Sequence, residues 1–102
     1  MDVPVKLLLT WDIAPDHEQD YFEFVLGEYV PAIQRLGLQP TDAWVTVYGK
    51  YPQVLVGILA SSLESAQKSI NSQEWQDLND KLFALVKNYE CRIAPVRGGF
   101  QF

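Results

Sequence analysis

Apolar residues follow two different periods along this chain of 102 residues. β-branched and aromatic residues fill segments 5–13, 43–48, 53–60 and 89–96, which predicts four strands. Between the first and second strands, and between the third and fourth, apolar residues recur every three to four positions, which predicts helices. The predicted order is strand, helix, hairpin, helix, strand. This α+β arrangement packs both helices on one face of a four-stranded antiparallel sheet.

The first helical stretch carries signals for its start, an interruption and its end. Asp16 is the predicted N-cap, with Gln19 three residues later in a capping-box pattern. Pro31 should bend or break the helix, and Gly37 is a natural residue just past its end. The predicted apolar face consists of Phe22, Val25, Leu26, Tyr29, Ile33 and Leu36.

The second helical stretch begins near Leu63 and is interrupted at Asn71 and Ser72. Ser72 can cap a new helix, which we expect to close at Asn88. Trp75 is expected to be a core residue that pins this helix to the sheet. The predicted apolar face consists of Trp75, Leu78, Leu82, Leu85 and Val86.

Successive side chains of a strand point to opposite faces of its sheet, so each predicted strand divides into two rows. One row of each strand is apolar and should meet the helices. The other rows form a mixed face that comprises Leu8, Thr10, Asp12, Trp44, Thr46, Tyr48, Leu55, Leu59, Glu90 and Arg92. Such a face is typical of a small-molecule pocket, and the same residues would also pack a dimer interface. Under both interpretations we expect the face to be covered.

Four residues are candidates for catalysis: Arg92, Tyr48, Asp12 and His17. His17 is the only histidine and could act as a general base, although a histidine in a first helical turn is more often simply exposed. Asp12 and Arg92 would form either a structural ion pair or a pocket acid beside a substrate anchor. The residues expected to contact a substrate are Thr10, Trp44, Tyr48, Leu55, Leu59 and Arg92.

Composition narrows the class of protein. The length predicts a single domain, residues 1–102, and a hydrophobic content of 48% suffices for a core. The net charge is −5 and the eight basic residues are spread out, which argues against nucleic acid and anionic membranes as partners. Cys91 is the only cysteine, so we expect a reducing, cytoplasmic setting. No ligand cluster or phosphate-binding loop is present, so neither a metal nor a cofactor is predicted.

The chain resembles the dimeric α/β-barrel superfamily, which includes antibiotic-biosynthesis-monooxygenase-like, NIPSNAP-like, EthD-like and stress-responsive barrel families. The resemblance rests on the element order, the hairpin and the broken second helix, where Ser72-Gln73-Glu74-Trp75 is similar to an S-x-x-aromatic segment of many members. It implies a ferredoxin-like subunit whose sheet closes into a barrel with that of a second copy. A homodimer is therefore expected.

The resemblance also bears on function. Haem-degrading members place a Trp and a His at positions that correspond here to Ser69 and Asn79, which argues against that activity. Cofactor-independent monooxygenases surround their substrate with residue types that Trp44, Tyr48 and Arg92 supply on the mixed face. Three functions stay open: a cofactor-independent monooxygenase or isomerase acting on a small aromatic molecule, a non-catalytic binder of such a molecule, and a purely structural dimeric module.

Overall fold

The computed structural model describes residues 3–46 and 53–96 and confirms the predicted fold. The strands are β1 (Val5–Ile13), β2 (Gln39–Val45), β3 (Val54–Ala60) and β4 (Val86–Pro95). They form one antiparallel sheet in the order β2-β3-β1-β4, so β2 and β4 are its edges. One helical segment follows β1 and the other follows β3. Tyr48 and the predicted hairpin link, 49–52, lie outside the described residues.

The first helical segment is irregular just before Pro31, where the sequence predicts a bend or a break, but it runs without a gap from Glu18 to Arg35. It consists of α1 (Glu18–Phe24), a π-helical turn (Val25–Tyr29) and α2 (Val30–Arg35). The Val30 N–H donates to the Val25 carbonyl five residues back, and Pro31 has no N–H to donate. Gly37 ends the segment at φ 83°, and the Leu38 N–H donates to the Ile33 carbonyl at 3.2 Å. Gly37 is therefore confirmed as the helix-ending residue.

Two predictions for this segment are wrong. Asp16 is not the N-cap: it has a φ of 67°, and α1 begins at Glu18 with no side-chain cap. Phe22 and Leu26 are exposed, and Tyr21 is buried in their place. The reason is the π-helical turn, which holds more residues than an α-helical turn. Side chains four or eight residues apart, such as Tyr21, Tyr29 and Ile33, thus stay on the buried face.

The second segment is divided into α3 (Leu63–Ile70) and α4 (Gln73–Phe83). The Trp75 N–H donates to the Ser72 Oγ at 3.2 Å, which confirms Ser72 as the N-cap. Trp75 is buried, as predicted. The predicted end at Asn88 is wrong, because α4 stops at Phe83 and Val86 begins β4. The Ala14 N–H donates to the Leu85 carbonyl at 2.9 Å. Leu85 and Val86 therefore pair with the end of β1 and do not continue the helix.

The second strand also begins earlier than predicted, at Gln39 instead of 43. Pro40 lies within it, which an edge strand tolerates, and the register with β3 shifts between Pro40 and Asp42. The core lies between the sheet and the helices. Its fully buried large side chains are Leu7, Leu9, Trp11, Tyr29, Ile33, Ile58 and Leu82. Among the described helices, none is long and apolar enough to cross a membrane.

Candidate ligand-binding site

The sheet face away from the helices is here called the open face, and strand pairing tests the predicted set only for the described residues, which exclude Tyr48. Strand pairing places two rows of side chains across it. The first row is Trp44, Leu55, Thr10 and Glu90. The second row is Asp42, Gly57, Leu8 and Arg92. Trp44 is 67% exposed, and Leu8, Leu55 and Leu59 are only partly buried, so one copy of the chain leaves this apolar area open.

An ion pair crosses the open face above Gly57. The Lys6 Nζ lies 2.5 Å from the Asp42 Oδ2, and this hydrogen bond lowers the pKa of Asp42. A Cβ at position 57 would lie 3.0 Å from that carboxylate oxygen and 3.1 Å from the Lys6 Cε. Glycine therefore leaves room for the pair. The sequence does not predict it, because the two residues are 36 positions apart.

Asp12 in β1 hydrogen-bonds to β4 and to the residue that precedes β3. Its Oδ1 accepts from the Gln53 N–H at 2.8 Å, and its Oδ2 accepts from the Asn88 Nδ2 at 2.9 Å. The hydrogen bond from Asn88, followed by that from Gln53, lowers the pKa of Asp12. A carboxylate with both oxygens engaged and a lowered pKa is a weak proton acceptor. This geometry favours a structural role for Asp12.

The other catalytic candidates are not brought together. On β4, Arg92 lies opposite Leu8 of β1, whereas Asp12 of β1 lies opposite Lys87. Leu8 and Asp12 are four residues apart on β1, so the predicted pair of Asp12 and Arg92 is not formed. Arg92 is exposed and makes no ion pair with another described residue. His17 is exposed at the start of α1. Tyr48 lies outside the described residues.

On the helix side, a cleft of about 440 Å³ separates α4 from the edge strand β4. We call it the α4–β4 cleft. Its walls are mainly apolar or aromatic, and they include Ile70, Trp75, Asn79, Phe83, Tyr89 and Cys91. The Tyr89 ring is held between two others, stacked on Trp11 at 6.2 Å and edge-on to Phe83 at 4.9 Å. The cleft thus has fixed aromatic walls on the side of β4.

The cleft also has polar walls: Asn71, Gln76 and Asp80 line it beside the buried amide of Asn79. Asn79 is only 4% exposed. Its Oδ1 accepts from the Tyr29 hydroxyl at 3.0 Å, and its Nδ2 donates to the Trp75 carbonyl at 2.9 Å. An amide nitrogen has two hydrogens, so the second N–H has no acceptor among the described residues.

Two more polar groups of the cleft keep their protons. Burial raises the pKa of the Tyr89 hydroxyl, and the nearby Cys91 thiol raises it further. Burial also raises the pKa of Cys91, although one side of that residue is open to solvent. At neutral pH both groups are therefore uncharged hydrogen-bond donors. Among the cleft residues that the structure describes, Asp80 alone carries a carboxylate, and it is exposed.

The cleft is not predicted from the sequence, although one signal in the sequence points to it. Asn79 lies four residues after Trp75 and three before Leu82, on the buried face of α4. A polar residue on the buried face of a helix needs a hydrogen-bond partner or has a function. Its partner Tyr29 is 50 residues away, so only the fold reveals the pair. Within residues 3–46 and 53–96, no group of acidic, histidine and cysteine side chains is arranged to hold a metal ion.

Comparisons with known proteins support the fold. No protein-family model and no curated protein matches the chain. The chain is similar to the solved structure of a NIPSNAP family protein from Agrobacterium tumefaciens, with a TM-score of 0.73, 21% identity, and coverage of 96% of this chain and 90% of that one.

Two further structures come from other families. An EthD family protein from Bacillus halodurans has a TM-score of 0.72 and 16% identity, with 92% of this chain and 99% of that one covered. An antibiotic-biosynthesis-monooxygenase-like protein from Nitrosomonas europaea has a TM-score of 0.70 and 9% identity, with coverage of 96% and 94%. At these identities the likeness concerns the fold. The chain therefore has the ferredoxin-like α+β fold that NIPSNAP, EthD and antibiotic-biosynthesis-monooxygenase-like proteins share.

Proposed function

We propose that this protein binds a small aromatic molecule in the α4–β4 cleft. The observation that carries the proposal is the free N–H of Asn79, a buried group in a mainly apolar wall. The Nδ2 atom already donates one hydrogen to the Trp75 carbonyl, and its second hydrogen is left to bond an oxygen of a bound ligand. An apolar cleft with a few convergent polar groups is the usual form of a small-molecule site.

The walls of the cleft indicate the shape of its ligand. Trp75, Phe83 and Tyr89 present aromatic surface, against which a planar ring packs well. The neutral Tyr89 hydroxyl and Cys91 thiol add hydrogen-bonding groups without adding charge. A flat aromatic molecule with at least one polar atom fits this combination.

We further propose that the protein is a homodimer in which two open faces meet. Trp44 is 67% exposed, and Leu8, Leu55 and Leu59 on the same face are only partly buried. A monomeric protein rarely leaves such a patch in water. A second copy would cover it and bury roughly 1,600 Å² in total, the usual size of a stable interface.

The test uses the full-length chain and a panel of small aromatic ketones, phenols and acids, screened by thermal shift. Compounds that raise the melting temperature are then titrated by calorimetry against variants. Cys91→Phe places a ring in the cleft and should abolish binding. The control Gln67→Phe adds the same ring on an exposed part of α3 and should leave binding unchanged.

The same titrations separate the cleft from the interior of a dimeric barrel, the ligand site that the sequence predicts. A ligand held by Trp44, Leu55 and Arg92 would lose affinity in Arg92→Ala and not in Cys91→Phe. That result would contradict the cleft as the site. No binding across the whole panel would contradict the proposal itself and favour a structural dimeric module.

A second candidate function is an isomerase, and Asp80 is the observation that favours it. This carboxylate shares the cleft with the donors Asn79 and Tyr89. It could remove a proton next to a carbonyl and return it to another carbon, while the donors stabilise the enolate oxygen. Asp80→Asn should then abolish turnover of an enolisable ketone and retain its binding. The cofactor-independent monooxygenase stays a prediction that depends on the same base.

A further inference from the structure

We infer that Tyr29 determines which ligands the α4–β4 cleft accepts: by fixing the orientation of the Asn79 amide, it selects aromatic molecules that carry a hydrogen-bond acceptor, such as a ketone or carboxylate oxygen. The inference rests on the proposed binding function and names its ligand class. Tyr29 does not line the cleft, so it acts as a positioning residue.

The orientation of the amide follows from its two partners. The Trp75 carbonyl oxygen can only accept a hydrogen bond, so the atom of Asn79 that lies 2.9 Å from it must be the nitrogen. The oxygen of the amide then faces the Tyr29 hydroxyl at 3.0 Å, and Tyr29 must be the donor. Both sides of the amide are thereby assigned by chemistry.

Tyr29 is held firmly enough to impose this orientation. It is fully buried, and its ring lies edge-on to Trp11 at 6.1 Å. Burial raises the pKa of its hydroxyl, so the proton stays in place and is available to Asn79. Tyr29 is the last residue of the π-helical turn, whose geometry turns the side chain towards the core. Such turns are frequent at functional sites.

A ligand therefore meets an N–H at position 79 and not a carbonyl. A ketone oxygen can accept from that N–H, whereas a purely apolar ring leaves it without a partner. If Tyr29 loses its hydroxyl, Oδ1 is left buried without a donor. To relieve this, the amide rotates away from the Trp75 carbonyl, gives up that hydrogen bond and turns its oxygen towards the cleft. The oxygen of a ketone would then be repelled.

The test compares two naphthalene probes of nearly equal size by calorimetry: 2-acetonaphthone, which carries an acceptor, and 2-ethylnaphthalene, which does not. The wild-type protein should bind the ketone about 2- to 10-fold more tightly, the value of one hydrogen bond. Tyr29→Phe should reduce this ratio to about one. The matched control Tyr21→Phe also removes a buried hydroxyl, but that hydroxyl accepts from Trp11 and not from Asn79, so the ratio should persist.

Each outcome has a distinct meaning. Equal wild-type affinities would overturn the selection of acceptors and leave the binding function intact. A ratio that survives in Tyr29→Phe would overturn the role of Tyr29. If neither probe binds, the proposed function fails and the inference fails with it. If Tyr29→Phe does not fold, Asn79→Leu takes its place: it should bind both probes equally, and a retained preference for the ketone would contradict the inference.

Discussion

Two polar side chains in this protein join parts of the fold that are distant in the sequence. Asp12 joins β1 to β4 and to the residue that precedes β3, and Asn79 joins α4 to Tyr29. The sequence predicts Trp75 as a core residue, because a large aromatic side chain on the apolar face of a helix is most stable when it is buried. It does not predict the roles of Asp12 and Asn79, since a polar residue acquires its function from partners that lie 41 to 76 positions away.

At the residue scale we expect Asp12→Asn to lower the free energy of unfolding by about 1 kcal/mol at pH 7, because it weakens charged hydrogen bonds at a partly exposed site. The pKa of Asp12 is lower in the folded than in the unfolded chain. Its contribution is therefore complete above about pH 4 and disappears as the pH falls through the folded value. Urea unfolding of both proteins at several pH values measures this. A difference that stays constant below pH 4 would contradict the role assigned to the carboxylate.

At the scale of elements, period and capping signals predict which elements exist, and tertiary contacts decide where they end. The Ser72 cap and Gly37 are local signals, and both are confirmed. The end of α4 is missed because Leu85 and Val86 fit a helix as well as a strand, and only pairing with β1 decides. The early start of β2 is missed because Pro40 indicates a loop unless the strand is known to be an edge.

The break between α3 and α4 allows the contribution of one N-cap, Ser72, to stability to be tested. The Ser72 Oγ accepts from the Trp75 N–H and donates to the Ser69 carbonyl. Ser72→Ala should therefore cost about 1 kcal/mol of stability. Ser61→Ala is the control, because Ser61 is exposed and its side chain makes no hydrogen bond within the described part of the chain. Equal urea midpoints for the two variants would show that the cap does not stabilise α4.

At the scale of the whole molecule, the exposed apolar area of the open face favours a partner that covers it. For the described residues, the sequence predicts this face correctly because strand alternation alone assigns them to it. The Lys6–Asp42 pair and Gly57 add a feature that alternation does not show. The α4–β4 cleft lies on the other side of the sheet, so dimer formation and ligand binding can be tested separately.

We expect sedimentation equilibrium to show a stable dimer at micromolar concentration. Trp44→Glu should shift it to monomer, because it places a charge within the apolar contact. Leu63→Glu puts the same charge on an exposed position of α3 and should remain dimeric. A wild-type monomer at micromolar concentration would contradict the proposed assembly.

The most direct test of the central claim is a nuclear magnetic resonance titration of the ¹⁵N-labelled full-length protein with 2-acetonaphthone. If the ligand binds in the α4–β4 cleft, the largest shifts will occur at the side-chain amide of Asn79 and the backbone amides of Tyr89 and Cys91. Trp44 and Leu55 on the open face should change little. Shifts confined to the open face, or none up to the solubility limit of the ketone, would contradict the account.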